Sequence, residues 1–138
     1  MSSKNDVPDI GIDPVGLARA EAALAGLSQR YLSWADADLA RLEDCLTQLL
    51  ARPEDRTELL GRAFGIAHDM KGQGATFDYP LISEFGNRLC RVLEACPRPG
   101  AEDLEQVAVL VAAMGRVLRE RLSGDGGDEG RRLLSDRL

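Results

Sequence analysis

Four long stretches of the chain repeat apolar residues at helical spacing, and no stretch alternates apolar and polar residues as a half-buried strand does. In the last stretch, from Leu104 to Leu122, the spacing is close to a heptad. A helix that is apolar on one side must bury that side against another element. We therefore expect an all-α chain, folded as an antiparallel four-helix bundle with an N-terminal accessory helix.

Capping residues and prolines set the expected helix boundaries. Asp13 followed by Pro14 predicts a helix start, Ser33 can cap the next helix, and Pro53 ends that one because the residue before proline avoids helical geometry. Pro80 lies in or next to the first turn of a later helix. The predicted helices cover about 14–29, 33–51, 53 to 72 or 74, 80–96 and 102–122.

Both chain ends are predicted to lack regular structure. Residues 1–12 are polar on balance and show no periodicity, so we expect a flexible N-terminal tail. The glycine-rich and acidic run 123–130 predicts a linker, and 131–138 is either disordered or a turn of helix, so 123–138 is expected to be a flexible C-terminal tail. The bundle is placed between them, at residues 13–122, as one domain of a 138-residue chain.

The charge and the apolar pattern indicate which partners to expect. The formal net charge is −6, which argues against nucleic acid and anionic membranes, because both bind through basic patches. No apolar run approaches the roughly 20 residues of a membrane span, and the first residues lack the apolar core of a signal peptide. We therefore expect a cytoplasmic protein.

Three cysteines, Cys45, Cys90 and Cys96, lie in or next to apolar helical patterns. No pair has the spacing of a C-x-x-C motif, and a single histidine cannot complete a familiar zinc site with them. We expect buried, reduced thiols and no bound metal.

His68 is the only histidine, with Lys71 three positions later and Gly72 four positions later. At about 100° per residue it falls roughly 120° from the centre of the apolar arc of its helix, outside the buried side. The apolar arc consists of Leu59, Leu60, Ala63, Phe64, Ile66, Ala67, Met70 and Gly74. Beside His68, Gly61, Gly65 and Gly72 form a stripe, although glycine inside a helix costs about 0.5–1 kcal/mol relative to alanine. Such a stripe would let a second protein approach the imidazole closely, although for Gly61 and Gly65 close helix packing is an equally good reason.

The segment His68-Asp69-Met70-Lys71-Gly72 resembles the H-x-(L/M)-K-G signature of histidine-containing phosphotransfer (HPt) domains. The resemblance extends over about residues 30–122. It implies a four-helix bundle whose exposed histidine accepts a phosphoryl group from an aspartate of a hybrid sensor kinase's receiver domain. The histidine then passes that group to the receiver of a response regulator in a phosphorelay.

By this resemblance His68 is the phosphoacceptor and Lys71 stabilises the phosphoryl group through its charge. Gly72, Gly65 and Gly61, with Ala75, would form the face that docks receiver domains. Because the chain offers neither a nucleotide-binding loop nor an assignable trio of carboxylates, we expect no cofactor of its own and no ATP-dependent kinase activity. Mg²⁺ would come with the partner's receiver, and the protein would be a monomer.

One position departs from the family. Ten residues after His68 the family commonly has glycine, whereas this chain has Asp78.

The sequence leaves two alternative functions open: a non-catalytic helical adaptor that docks receivers, and a dimerisation module of the histidine-kinase type. The second expects a proline soon after the histidine, but the first proline here is Pro80.

Overall fold

The structure, a computed structural model, describes residues 13–52 and 56–135. All regular structure in these ranges is helical, which confirms the all-α prediction. The helices are α1 (Pro14–Ala51), α2 (Arg56–Gly74), α3 (Pro80–Ala95), α4 (Ala101–Arg119) and α5 (Gly127–Ser135), with a 3₁₀ turn at Ala75–Phe77 after α2. None of the helices in these ranges has the length and apolar character needed to cross a membrane. The predicted tail at 1–12 lies outside the described residues.

Helix α1 is longer than predicted. Asp13 caps its start as expected, because its Oδ1 accepts a hydrogen bond from the Gly16 backbone N–H at 2.5 Å. The predicted break between residues 29 and 33 is wrong: α1 continues through it to Ala51. Residues 30–33 contain neither glycine nor proline, and a serine inside a helix costs too little to end it. Ser33 is therefore an interior residue of α1 and not a cap.

The chain divides into two compact units, Met1–Tyr31 and Leu32–Leu138, with the boundary inside α1. In the described part of the first unit, α1 carries several exposed apolar side chains, namely Val15, Leu17, Leu24 and Leu27. The second unit contains the rest of α1 and all later helices.

The core of the second unit is built from the apolar faces of its helices. Helix α3 packs against both α2 and α4. Helix α4 approaches α1 where a Cβ on Gly115 would lie 3.4 Å from Leu39 Cδ2. The largest fully buried side chains of this core include Leu42, Leu49, Met70, Ile82, Phe85, Leu89, Leu110, Met114 and Leu118. The apolar spacing of α1 also predicts Leu50 on its buried face, but Leu50 is exposed.

Two of the three cysteines belong to this core. Cys45 and Cys90 are buried, as predicted, whereas Cys96 is only partly buried. Burial raises the pKa of the Cys45 and Cys90 thiols, so both are protonated near neutral pH and behave as small apolar side chains.

The corner between α2 and α3 turns at Asp78. This residue has φ 68° and ψ 33°, in the left-handed region that glycine adopts at little cost. Asp78 is thus in the conformation that glycine favours, at the position where the HPt family commonly has glycine. Its carbonyl also accepts a hydrogen bond from the Gly124 N–H at 2.9 Å, which ties the corner to the segment before α5.

The prediction that 123–138 is a flexible tail is wrong for Gly127–Ser135, which form α5. Gly126 and Gly127 have positive φ values of 73° and 63°, so the glycines that predicted a linker instead make a tight turn into the helix. A Cβ on Gly126 would lie 2.6 Å from Leu81 Cδ1 of α3, and Leu133 is buried. Glu129 binds Arg116 of α4 at 2.6 Å.

Asp78→Val should lower the free energy of unfolding by about 1–2 kcal/mol, because a β-branched residue is strained in the left-handed region. Asp78→Gly should keep or raise stability. Urea unfolding monitored by circular dichroism measures both changes. Asp69→Val, at an exposed right-handed helical position, is the control for loss of the carboxylate. An equal decrease in the free energy of unfolding for Asp69→Val would refute the backbone explanation.

Candidate functional site

Helix α2 places His68 on its exposed side, as its helical phase predicted. Seven of the eight residues expected on the apolar arc are buried: Leu59, Leu60, Ala63, Ile66, Ala67, Met70 and Gly74. The exception is Phe64, which is only partly buried. The imidazole is therefore accessible to a second protein.

Phe64 packs against His68 instead of entering the core. The two ring centroids are 5.9 Å apart and the ring planes are inclined by 30°. Residues four apart share one helix face, so this contact follows from α2 itself. The phenyl ring thus lies beside the imidazole, which remains exposed. The apolar arc predicts Phe64 in the core, which is wrong, whereas its spacing of four residues from His68 indicates this contact.

The glycine stripe beside His68 is open. A Cβ built on Gly61, Gly65 or Gly72 would meet no atom of the described residues within 4 Å beyond the helix's own neighbouring backbone. Close packing inside the described part of the chain therefore does not explain why these three positions lack side chains. Ala75, the fourth predicted docking residue, is exposed in the 3₁₀ turn after α2.

Lys71 is partly buried where α2 and α3 come close together. A Cβ on Gly86 of α3 would lie 3.2 Å from Lys71 Cβ and 3.3 Å from the Ala67 carbonyl oxygen. The absence of a side chain at Gly86 thus lets the base of Lys71 lie against α3. The Lys71 charge also partly offsets the effect of burial on the pKa of Cys90, one turn further along α3. Within the described residues Lys71 has no ion-pair partner, so its charge is available to an incoming anion.

Ser83 of α3 holds the C-terminal end of α2. Its hydroxyl donates a hydrogen bond to the Lys71 carbonyl at 2.6 Å and accepts one from the Ala75 N–H at 2.9 Å. A Cβ on Gly74 would lie 2.8 Å from this hydroxyl and 2.7 Å from the Tyr79 carbonyl oxygen. Gly74 is therefore required by packing, unlike the three glycines of the open stripe. Neither Ser83 nor Gly86 was identified from sequence, because their importance depends on the pairing of α2 with α3.

Two concavities lie beside the exposed face of α2. One, of about 320 Å³, is lined mainly by apolar residues, with Gly61 and Phe64 of α2 facing Leu93 of α3. The other, of about 400 Å³, is lined by Asp69 and Gln73 of α2 together with residues of α1, among them Trp34.

A large aromatic residue near a predicted helix start favours a packing role for Trp34 over a ligand contact. Trp34 is instead 52% exposed at the edge of the second concavity, so that prediction is wrong. Its position near the predicted start of a helix suggested a role in closing the core, but α1 is continuous there and turns Trp34 outwards.

The described residues bring together no group of three or more potential metal ligands.

Comparisons with models of protein families, with curated proteins and with solved structures gave no match for this chain. The geometry of the face that contains His68, Lys71 and the open glycines therefore carries the functional argument.

Gly65→Ala should raise the free energy of unfolding by about 0.5–1 kcal/mol, because alanine favours helix and the position is open. Gly74→Ala, in the same helix, should lower it by about 1–3 kcal/mol through overlap with the Tyr79 carbonyl and Ser83. Urea unfolding of the two variants and the parent measures the difference. A destabilised Gly65→Ala would mean that another part of the chain packs on the stripe.

Proposed function

We propose that the second unit is an antiparallel four-helix bundle of the HPt type, formed by the later part of α1 with α2, α3 and α4. Support comes from α3 packing against α2 and α4, and from the approach of α4 to α1 at Gly115 and Leu39. The positive φ of Asp78 adds to this, because it provides the conformation of the family's usual glycine.

The chain would act as a histidine phosphotransfer protein in a two-component phosphorelay. His68 accepts a phosphoryl group from a receiver-domain aspartate and passes it to another receiver. One observation carries the proposal: the exposed imidazole lies beside three helical glycines that no packing within the described residues accounts for. Open glycines next to a nucleophile make room for the rim of a second protein's active site.

In the transfer step a nitrogen of His68, which we propose to be Nε2, attacks the phosphorus of the aspartyl phosphate. The new N–P bond forms as the O–P bond breaks, and the aspartate leaves as a carboxylate. The proton on the other ring nitrogen is then lost to solvent. The step is reversible, so the same geometry serves delivery to the second receiver. Positioning and charge stabilisation supply most of the catalysis in such transfers.

Lys71 would stabilise the charge on the equatorial oxygens of the phosphoryl group. Its base is held against α3 at Gly86, and no ion pair within the described residues competes for its ammonium. A charge-assisted contact of this kind contributes about 1.5–3 kcal/mol. Mg²⁺ would be supplied by the acidic pocket of the receiver, whose docking face we place on Gly61, Gly65, Gly72 and Ala75.

The decisive experiment is phosphotransfer from a phosphorylated receiver. Parent protein, His68→Gln and Asp69→Asn are each incubated with receivers of the same cell that carry labelled phosphate. Acid-labile, base-stable label should appear on the parent and on Asp69→Asn but not on His68→Gln. Label on His68→Gln equal to that of the parent would refute the proposal.

The adaptor alternative predicts a different result in the same assay. An adaptor would form a complex with the receiver, detectable by calorimetry, yet no variant would acquire label. The kinase-type dimerisation module, in turn, would be phosphorylated in the presence of a catalytic ATP-binding domain and not by receivers. The three functions are thus separated by which donor, if any, labels His68.

Lys71→Ala should slow transfer by about ten- to a hundredfold, on the scale of one lost charge-assisted contact. Lys71→Arg keeps the charge on a longer and planar group, so its transfer rate should lie between those of the parent and Lys71→Ala. Single-turnover rates from a phosphorylated receiver measure the effect, and circular dichroism checks the fold. An unchanged rate for Lys71→Ala would remove this residue from the site.

A further inference from the structure

The first unit exposes an apolar stripe that the proposed phosphotransfer does not use. Leu17 is 48% exposed, Leu24 65% and Leu27 40%, and Ala20 between them is also exposed. Scattered exposed leucines are ordinary, but these lie on successive turns of one helix. Leaving such a contiguous apolar stripe in water is costly, because burying a leucine side chain stabilises by about 1.5–3 kcal/mol.

The spacing of the stripe identifies what can cover it. Leu17, Ala20, Leu24 and Leu27 follow one another at intervals of three, four and three residues, which is the seam of a two-stranded coiled coil. A seam of this kind is complementary to another copy of itself.

We propose that α1 pairs through this seam, residues 17–27, with the same segment of a second copy of the chain, and that the two helices run antiparallel. In this arrangement Leu17 faces Leu27 of the second copy and Ala20 faces Leu24, each pair occurring twice by two-fold symmetry. A small residue then opposes a large one at the centre. Parallel pairing would place Ala20 against Ala20 and leave a gap between leucine layers.

The charges of the segment also suit a second copy. Residues 13–30 carry two acidic and two basic side chains, Asp13, Arg19, Glu21 and Arg30, so this stretch is neutral within a chain of net charge −6. In the antiparallel pair, Asp13 of each copy lies close to Arg30 of the other copy. This contact occurs once at each end of the pair. Antiparallel pairing also aligns the two helix dipoles favourably.

This dimer replaces the monomer expected from the family resemblance. It does not depend on the proposed function, since none of these residues belongs to the His68 face. It also differs from a dimer of the histidine-kinase type, which would form through the helix that carries the histidine. Substitutions in the seam, residues 17–27, therefore separate the two kinds of dimer.

The test is sedimentation equilibrium of the full chain over micromolar to millimolar concentrations. The parent should dimerise with a dissociation constant in the micromolar range, as a short two-helix interface permits. Leu17→Glu combined with Leu24→Glu should raise that constant by at least about a hundredfold. Leu50→Glu is the matched control, because Leu50 is 62% exposed on the same helix outside the segment, and it should leave the dimer unchanged.

A second double variant distinguishes loss of the dimer interface from loss of helical structure. Leu17→Ala with Leu24→Ala keeps helix propensity and should still abolish most dimer. Glu21→Gln tests the orientation: antiparallel pairing places Glu21 beside Glu21 of the second copy, so its neutralisation should tighten the dimer about twofold. A monomeric parent, or a dimer that survives both leucine double variants, would overturn the proposal, and an unchanged Glu21→Gln would overturn the antiparallel arrangement.

Discussion

A single serine hydroxyl connects the end of the helix that carries His68 to the helix beside it. Ser83 of α3 binds the Lys71 carbonyl and the Ala75 N–H, and so satisfies two backbone groups where α2 gives way to the 3₁₀ turn. The contact requires Gly74, where a Cβ would lie 2.7 Å from the Tyr79 carbonyl oxygen, and Gly86 favours the same close approach of α2 and α3. The rotation of α2, and with it the direction in which His68 and Lys71 face, depends on this close approach.

The helical phase of α2 could be predicted from the sequence, because a 3.6-residue period leaves little freedom once eight residues fit one arc. That phase correctly placed His68 outside the core and Met70 inside it. Phe64 was misplaced because it lies at the edge of the arc, where periodicity alone does not distinguish core from boundary. Its contact with the imidazole depends on side-chain direction within one turn.

Other features could not be predicted because they depend on tertiary contacts. Helix α5 forms although its sequence is rich in glycine, since Leu133 is buried and Glu129 binds Arg116 of α4. Ser33 has the chemistry of a cap, yet it lies within α1 because residues 30–33 contain no proline or glycine to end the helix there. Ser83 and Gly86 carried no signal at all, since both are ordinary residues until α3 is placed on α2.

The position of Trp34 gives the protein an intrinsic optical reporter. It is the only tryptophan in the chain, about half of its surface is in contact with solvent, and it lines the same concavity as Asp69 and Gln73 of α2. Indole emission shifts towards shorter wavelengths when water is removed from around the ring. Any molecule that settles over this side of α2 would therefore change the fluorescence of the unlabelled protein, and the change would come from one known place.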